Sequence, residues 1–139
     1  MNKTFIYISA ALLLGACATK NAENKYIDLT GKKDAVLNYW LVDKKVKPEY
    51  SQQATVKKLA GCVEFSLVID SNGRAINTKI IKSFPQGAFD KQAITAIKKW
   101  RWVAAAENTD KQAVATTIQH DFVIRNAFNK KEAYKHCKI

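Results

Sequence analysis

Two runs of alternating residues, joined by four turn-forming residues, restrict this chain more than any other feature. From Cys62 to Ile69 the period is two. Val63, Phe65, Leu67 and Ile69 point one way, and Glu64 and Ser66 the other, as in a strand with one buried face. Asp70-Ser71-Asn72-Gly73 follows, and Asn-Gly supplies the positive φ angles that tight hairpins need. Residues 75–82 alternate again, with Ile76, Thr78 and Ile80 on the facing side. The segment predicts an antiparallel hairpin.

The flanks supply a third strand and the cover. Pro48 can sit in the first turn of a helix, Tyr50, Ala54, Val56 and Leu59 give it an apolar stripe, and Gly61 stops it. Ser83-Phe84-Pro85-Gln86-Gly87 breaks the second strand. A helix is then predicted over 88–103, with Phe89, Ala93, Ile97 and Trp100 on one face and Lys91, Lys98 and Lys99 in solvent. Residues 114–124 alternate once more: Val114, Thr116, Ile118, Phe122 and Ile124 inward, Thr117, Gln119 and Asp121 outward. The order helix-strand-strand-helix-strand predicts an α+β domain, a small antiparallel three-stranded sheet with helices on one face. Residues 34–42 are apolar enough to pack; Val36, Leu37, Trp40 and Leu41 have helical spacing, and a short strand is the alternative.

The N-terminus reads differently. Lys3 precedes an apolar stretch from Phe5 to Ala16, which is too short for the roughly 20 helical residues that span a bilayer. Leu14-Gly15-Ala16-Cys17 resembles the lipobox of bacterial lipoproteins. That resemblance implies cleavage before Cys17 and acylation of its thiol and new amine; an ordinary signal peptide with a chance cysteine is the alternative. Ala18, rather than an aspartate, resembles lipoproteins sorted to the outer membrane. The expected organisation is a signal peptide over 1–16, a lipidated cysteine, polar tether and short packed segment over 17–46, a folded domain over 47–125 and a basic tail over 126–139. The expected location is the cell envelope, on the periplasmic face of the outer membrane.

Composition fits that setting. The 139 residues carry a formal charge of +11. The basic residues are spread out, with no arginine stripe, so nucleic acid is not an expected partner. In the envelope the nearer anions are lipid headgroups, the acidic cell wall (peptidoglycan) and acidic protein segments. A solvated lysine-rich surface explains the charge equally well. With Cys17 lipidated, Cys62 and Cys137 remain. In an oxidising compartment they can pair, closing a loop of about 75 residues and stabilising the fold by roughly 4 kcal/mol; two unpaired thiols are the alternative. His120 and His136 lack metal-ligand spacing, and there is no glycine-rich phosphate loop, so no metal or cofactor is expected. Ser66, His120 and Asp121 make no triad, because His120 points away from the face that Ser66 and Asp121 share. No enzymatic activity is expected, and His120 is expected in or near the core as a hydrogen-bonded residue.

Two stretches resemble a known family. Residues 61–73 resemble the first hairpin of the TonB C-terminal domain. Residues 83–102 resemble its signature more closely: serine and proline, then Phe89-Asp90, an alanine-bearing helix, and a closing Trp100-Arg101-Trp102. Pro48-Glu49-Tyr50 with Ala54 fits the segment before the first helix. The resemblance implies that Phe89 and Trp100 are core anchors. It also implies that an N-terminal peptide of an outer-membrane transporter, or a segment of another envelope protein, adds as a strand to the sheet edge. The matching edge would be the third strand, through Val114, Thr116, Thr117, Ile118, Gln119 and Phe122, with Lys47, Pro48 and Tyr50 as a second contact. Weak pairing of two copies through the sheet is a further expectation. The chain is expected to lack the membrane helix and the long proline-rich spacer of energy-coupling TonB proteins. Lys47 stands where better-known members carry a glutamine, Ser51 where a proline is expected, and Val103-Ala104-Ala105 covers another missing proline.

Overall fold

The computed structural model of the protein describes residues 25–139. The signal-peptide and Cys17 expectations lie outside the described residues. Along the chain the elements are β1 (Ile27–Asp28), α1 (Lys33–Val36), β2 (Trp40–Lys44), α2 (Gln52–Val56), β3 (Gly61–Ile69), β4 (Ala75–Phe84), α3 (Asp90–Ile97), β5 (Arg101–Ala104), β6 (Val114–Phe122) and α4 (Lys130–Cys137). The main sheet has the order β1-β6-β3-β4, and β2 and β5 form a separate antiparallel ribbon. The domain is α+β. Its three long strands pair antiparallel, and β1 adds a short parallel fourth.

β3 lies between β6 and β4, and apolar residues on both of its faces are buried, Cys62 and Val68 on the back. Val63, Phe65, Leu67 and Ile69 are all buried and face Phe89, Ala93 and Ile97 of the α3 region. Phe89 stacks on Phe122 at 4.1 Å between ring centroids. Each such buried side chain contributes up to about 3 kcal/mol. The hairpin turn is built by Asp70, whose carboxylate accepts the N–H groups of Asn72 and Arg74. Within the turn Asp70–Gly73, Gly73 alone takes a positive φ, +67°. Its carbonyl accepts the Trp102 N–H, and a Cβ at Gly73 would lie 1.9 Å from the Trp102 carbonyl oxygen. The turn therefore docks on β5, an approach only glycine permits.

Several expectations are corrected. Ile76, Thr78 and Ile80 do not share a face. Register shifts between Ser66 and Val68 and between Glu64 and Phe65 each insert one extra residue in β4. The first includes Asn77 at φ +51°. Ala75 and Ile80 therefore pack on the core, while Ile76 sits opposite Val68 on the back. The helix predicted to Val103 ends at Ile97. Lys99 and Trp100 close it with bonds to Ala96 and Ile97, and the aromatic and branched run that follows becomes β5. Residues 34–42 realise both alternatives, as α1 and then β2. In the α2 stripe Ala54 is buried but Val56 is 76% exposed. The expected sheet cover lies on one face only in part, since α4 packs on the back. It is joined there by the Cys62–Cys137 disulfide, Cα atoms 5.6 Å apart, and by stacking of His136 on Phe84. Asn129, just before α4, donates to the Ala60 carbonyl and accepts its N–H, each at 2.8 Å.

Candidate functional site

β6 carries two kinds of side chain on opposite faces. Val114, Thr116, Ile118, His120 and Phe122 lie opposite Ile69, Leu67, Phe65, Val63 and Gly61, on the core side. Ala115, Thr117, Gln119 and Asp121 look to the back, where the Gln119 amide donates to the Cys137 carbonyl. The main chain alternates too. The carbonyls of Ala113 and Ala115 accept from Ile27 and Leu29 at 2.9 Å, so odd-numbered residues present their peptide groups away from β3. β1 ends at Asp28. Beyond it, the peptide groups of Thr117, Gln119 and Asp121 face outward, and among the described residues no strand pairs with them.

This divides the expected edge. Val114 is not at a free edge, because β1 occupies that end of the strand. Thr116 and Thr117 are buried, and Ile118 packs on the core. Gln119 and Phe122 border a groove of roughly 390 Å³ that also takes in Lys47, Pro48 and Tyr50. The structure thus brings together Lys47, Pro48, Tyr50, Gln119 and Phe122, and separates them from Val114.

Residues 45–50 form the opposite wall of the groove and are held by core residues. The Trp100 indole N–H donates to the Val46 carbonyl at 2.8 Å. Tyr50 packs edge-on against both Phe89 and Phe122, 5.6 Å from each. The Ser51 hydroxyl accepts the Ala54 N–H and caps α2 directly after the wall. The Lys45 ammonium sits 5.2 Å above the Trp100 ring.

His120 is the feature that sequence reasoning misjudged. It is in the core as expected, only 4% exposed, between Phe65 at 5.6 Å and Trp100 at 5.3 Å. It is not hydrogen-bonded, since neither ring nitrogen has a partner, and the Tyr50 hydroxyl across the groove has none either. Burial, reinforced by the Lys45 charge, lowers the His120 pKa from 6.5 to about 4, so the ring is neutral at pH 7. Burial also raises the Tyr50 pKa. A histidine in an inward position of an apolar strand was the visible signal. Its lack of partners depends on residues far away in sequence.

Ser66 lies on the back face opposite Thr117 and is not joined to His120. Among the described residues no group of three or more His, Cys, Asp and Glu side chains could hold a metal ion. No described helix is long and apolar enough to cross a membrane.

The architecture is a small α+β domain with one long strand half paired along its outer edge. The family described as Gram-negative bacterial TonB protein C-terminal matches residues 46–124, more than half of the chain, and the chain belongs to that family. Among curated proteins it is 34% identical over 62 residues to protein TonB of Yersinia enterocolitica, covering 45% of this chain and 24% of that one. It is 31% identical over 62 residues to protein TonB of Vibrio cholerae, covering 45% and 25%. The chain spans about a quarter of the length of these relatives. The fold is similar to the solution NMR structure of the Pseudomonas aeruginosa TonB C-terminal domain, with a TM-score of 0.53 and 24% identity over 63% of this chain and 88% of that one.

Proposed function

We propose that this protein is a non-enzymatic binding module of the cell envelope. It would be lipid-anchored through Cys17 to the periplasmic face of the outer membrane and accessory to transmembrane transport. The described fold begins at Lys25, eight residues after Cys17. Eight extended residues reach at most about 30 Å, which would hold the domain close to its membrane. Its partner would be an extended segment of an envelope protein or TonB-dependent transporter, added to the sheet as a strand. The observation that carries this reading is the pair of outward peptide groups at Gln119 and Asp121, beside a groove whose far wall is Lys47, Pro48 and Tyr50. Main-chain hydrogen bonds to such a row supply affinity, and alternate side chains supply selectivity. α4 packs mainly against β3 and β4, and its hydrogen bond to β6 comes from the back-facing Gln119 side chain, not from the outward peptide groups.

The charge of +11 favours a second reading, a structural lipoprotein whose lysines hold the acidic cell wall. NMR titration of the isotope-labelled full chain in detergent micelles separates the two. The ligands are transporter N-terminal peptides, their scrambled forms and cell-wall fragments. Strand addition predicts shifts confined to residues 117–122 and 45–50, absent with the scrambles. Salt-sensitive shifts on lysines with wall fragments, and none with peptides, would establish the second reading instead.

A further inference from the structure

The groove contains more unmet hydrogen-bonding capacity than a surface for main-chain pairing requires. His120 has two unpartnered ring nitrogens and Tyr50 an unpartnered hydroxyl, all buried, and both side chains line the same groove. Leaving such groups unpaired is costly, which is why folded proteins do it seldom. The free edge runs beside them. A strand added to β6 would place one of its inward side chains across from His120, within about 5.5 Å Cβ to Cβ. That side chain would meet Tyr50 from the other wall.

The surrounding charge selects its chemistry. Lys45 lies above Trp100, whose ring adjoins His120, and Lys45 is near enough to disfavour a charge on the imidazole. Lys47 lines the same groove. The groove's one acidic side chain, Asp121, is on the back-facing row of β6 and accepts from the Gln119 amide at 2.6 Å. A phenolic O–H, an imidazole N–H and an ammonium can each donate to one anionic acceptor. A neutral amide offers a weaker acceptor, and a cation would meet Lys45.

We infer that the groove holds a carboxylate-selective pocket, formed by Tyr50, His120 and Lys45, which takes one glutamate or aspartate side chain of the incoming strand at the position opposite His120. The inference rests on the strand-addition reading above. The test uses the full chain in detergent micelles and three blocked seven-residue peptides of alternating threonine and valine, with glutamate, glutamine or lysine at the centre. Binding is measured by calorimetry at pH 7 and low salt.

The glutamate peptide is expected to bind at least ~10-fold more tightly than the glutamine peptide, with lysine weakest. Tyr50→Phe and His120→Phe keep the aromatic packing and remove the polar atoms. Each is expected to shrink the glutamate preference, and with Lys45→Met added the three should bring it within ~2-fold while glutamine-peptide binding persists. Equal affinities for glutamate and glutamine in the parent chain, or a preference left undiminished by Tyr50→Phe and His120→Phe, would overturn the pocket and leave strand addition standing. Binding by none of the three peptides would overturn both. Should His120→Phe fail to fold, as judged by circular dichroism, Tyr50→Phe alone still decides the pocket.

Discussion

The two long edges of the main sheet are built to opposite ends. β4 is a ten-residue edge strand, the kind of edge that invites unwanted pairing. It is interrupted by two bulges, carries Lys79 and Lys82, and is held from behind by α4. Lys82 donates to the His136 carbonyl and Phe84 stacks on His136. The β6 edge has a different treatment. Its first part is covered by the two residues of β1, α1 also packs against the strand, and only Gln119 to Phe122 border a groove. A small sheet has two edges to manage, and this one closes one with irregularity and a pinned helix while the other stays half open. That asymmetry is what points function toward β6.

The comparison would break most visibly if the edges were coupled. Cys62→Ala with Cys137→Ala removes the pin that holds α4 behind β4. Chemical or thermal denaturation should show a loss of about 4 kcal/mol. Peptide binding at β6, measured where the variant is still folded, should change by less than ~2-fold because the groove is built on the other face. A parallel loss of binding would mean that α4 shapes the β6 edge through Gln119.

The next effect lies beneath β6 alone. The folded pKa of His120 is about 4, below its value of 6.5 in the unfolded chain. Between these values the unfolded state binds the extra proton, so stability is greatest above pH 6.5 and declines as pH falls toward 4. Allowing for water at the groove mouth, the loss should be roughly 2 kcal/mol. His120→Phe should flatten that part of the stability–pH curve. An unchanged slope would show that His120 is not the group responsible.

Gln119→Pro sharpens the contrast at a single peptide. The Gln119 N–H faces away from β3, so proline removes no bond of the β3–β6 ladder. Peptide affinity should fall at least ~10-fold, equal to about 1.4 kcal/mol. Lys79→Thr on the opposite edge should leave affinity unchanged in the same assay.

How far the sequence revealed this depended on whether a signal was local. The hairpin, the inward row of β6 and the Phe89–Trp100 core were legible because apolar period and turn residues sit side by side in the chain. The bulges in β4 were not, since an inserted residue leaves the composition unchanged and shifts only the pairing. The conversion of 101–104 into β5 depends on β2, some sixty residues earlier, offering a partner edge. Covering of Val114 depends on Ile27, within a stretch whose polar residues read as tether. The groove is half legible, since family resemblance points to Lys47, Pro48 and Tyr50. The Trp100 bond to Val46 that fixes them, and the empty hydrogen-bonding valences of His120, exist only after folding.

β1 sets how much of the β6 edge is open, and its effect should be the smallest. Ile27→Pro removes the N–H that donates to the Ala113 carbonyl, costing about 1 kcal/mol for the bond. Without β1 the peptide groups at Ala113 and Ala115 join the outward row. Amide exchange at Ala115 should then accelerate in the free protein. A bound peptide long enough to reach it should restore protection and bind a few-fold more tightly than to the parent chain. If protection at Ala115 persists in the free variant, residues flanking Ile27 hold that end closed without the bond. The boundary between guarded and open edge would then be set by packing of Leu29, which is 9% exposed and part of the core, rather than by strand pairing.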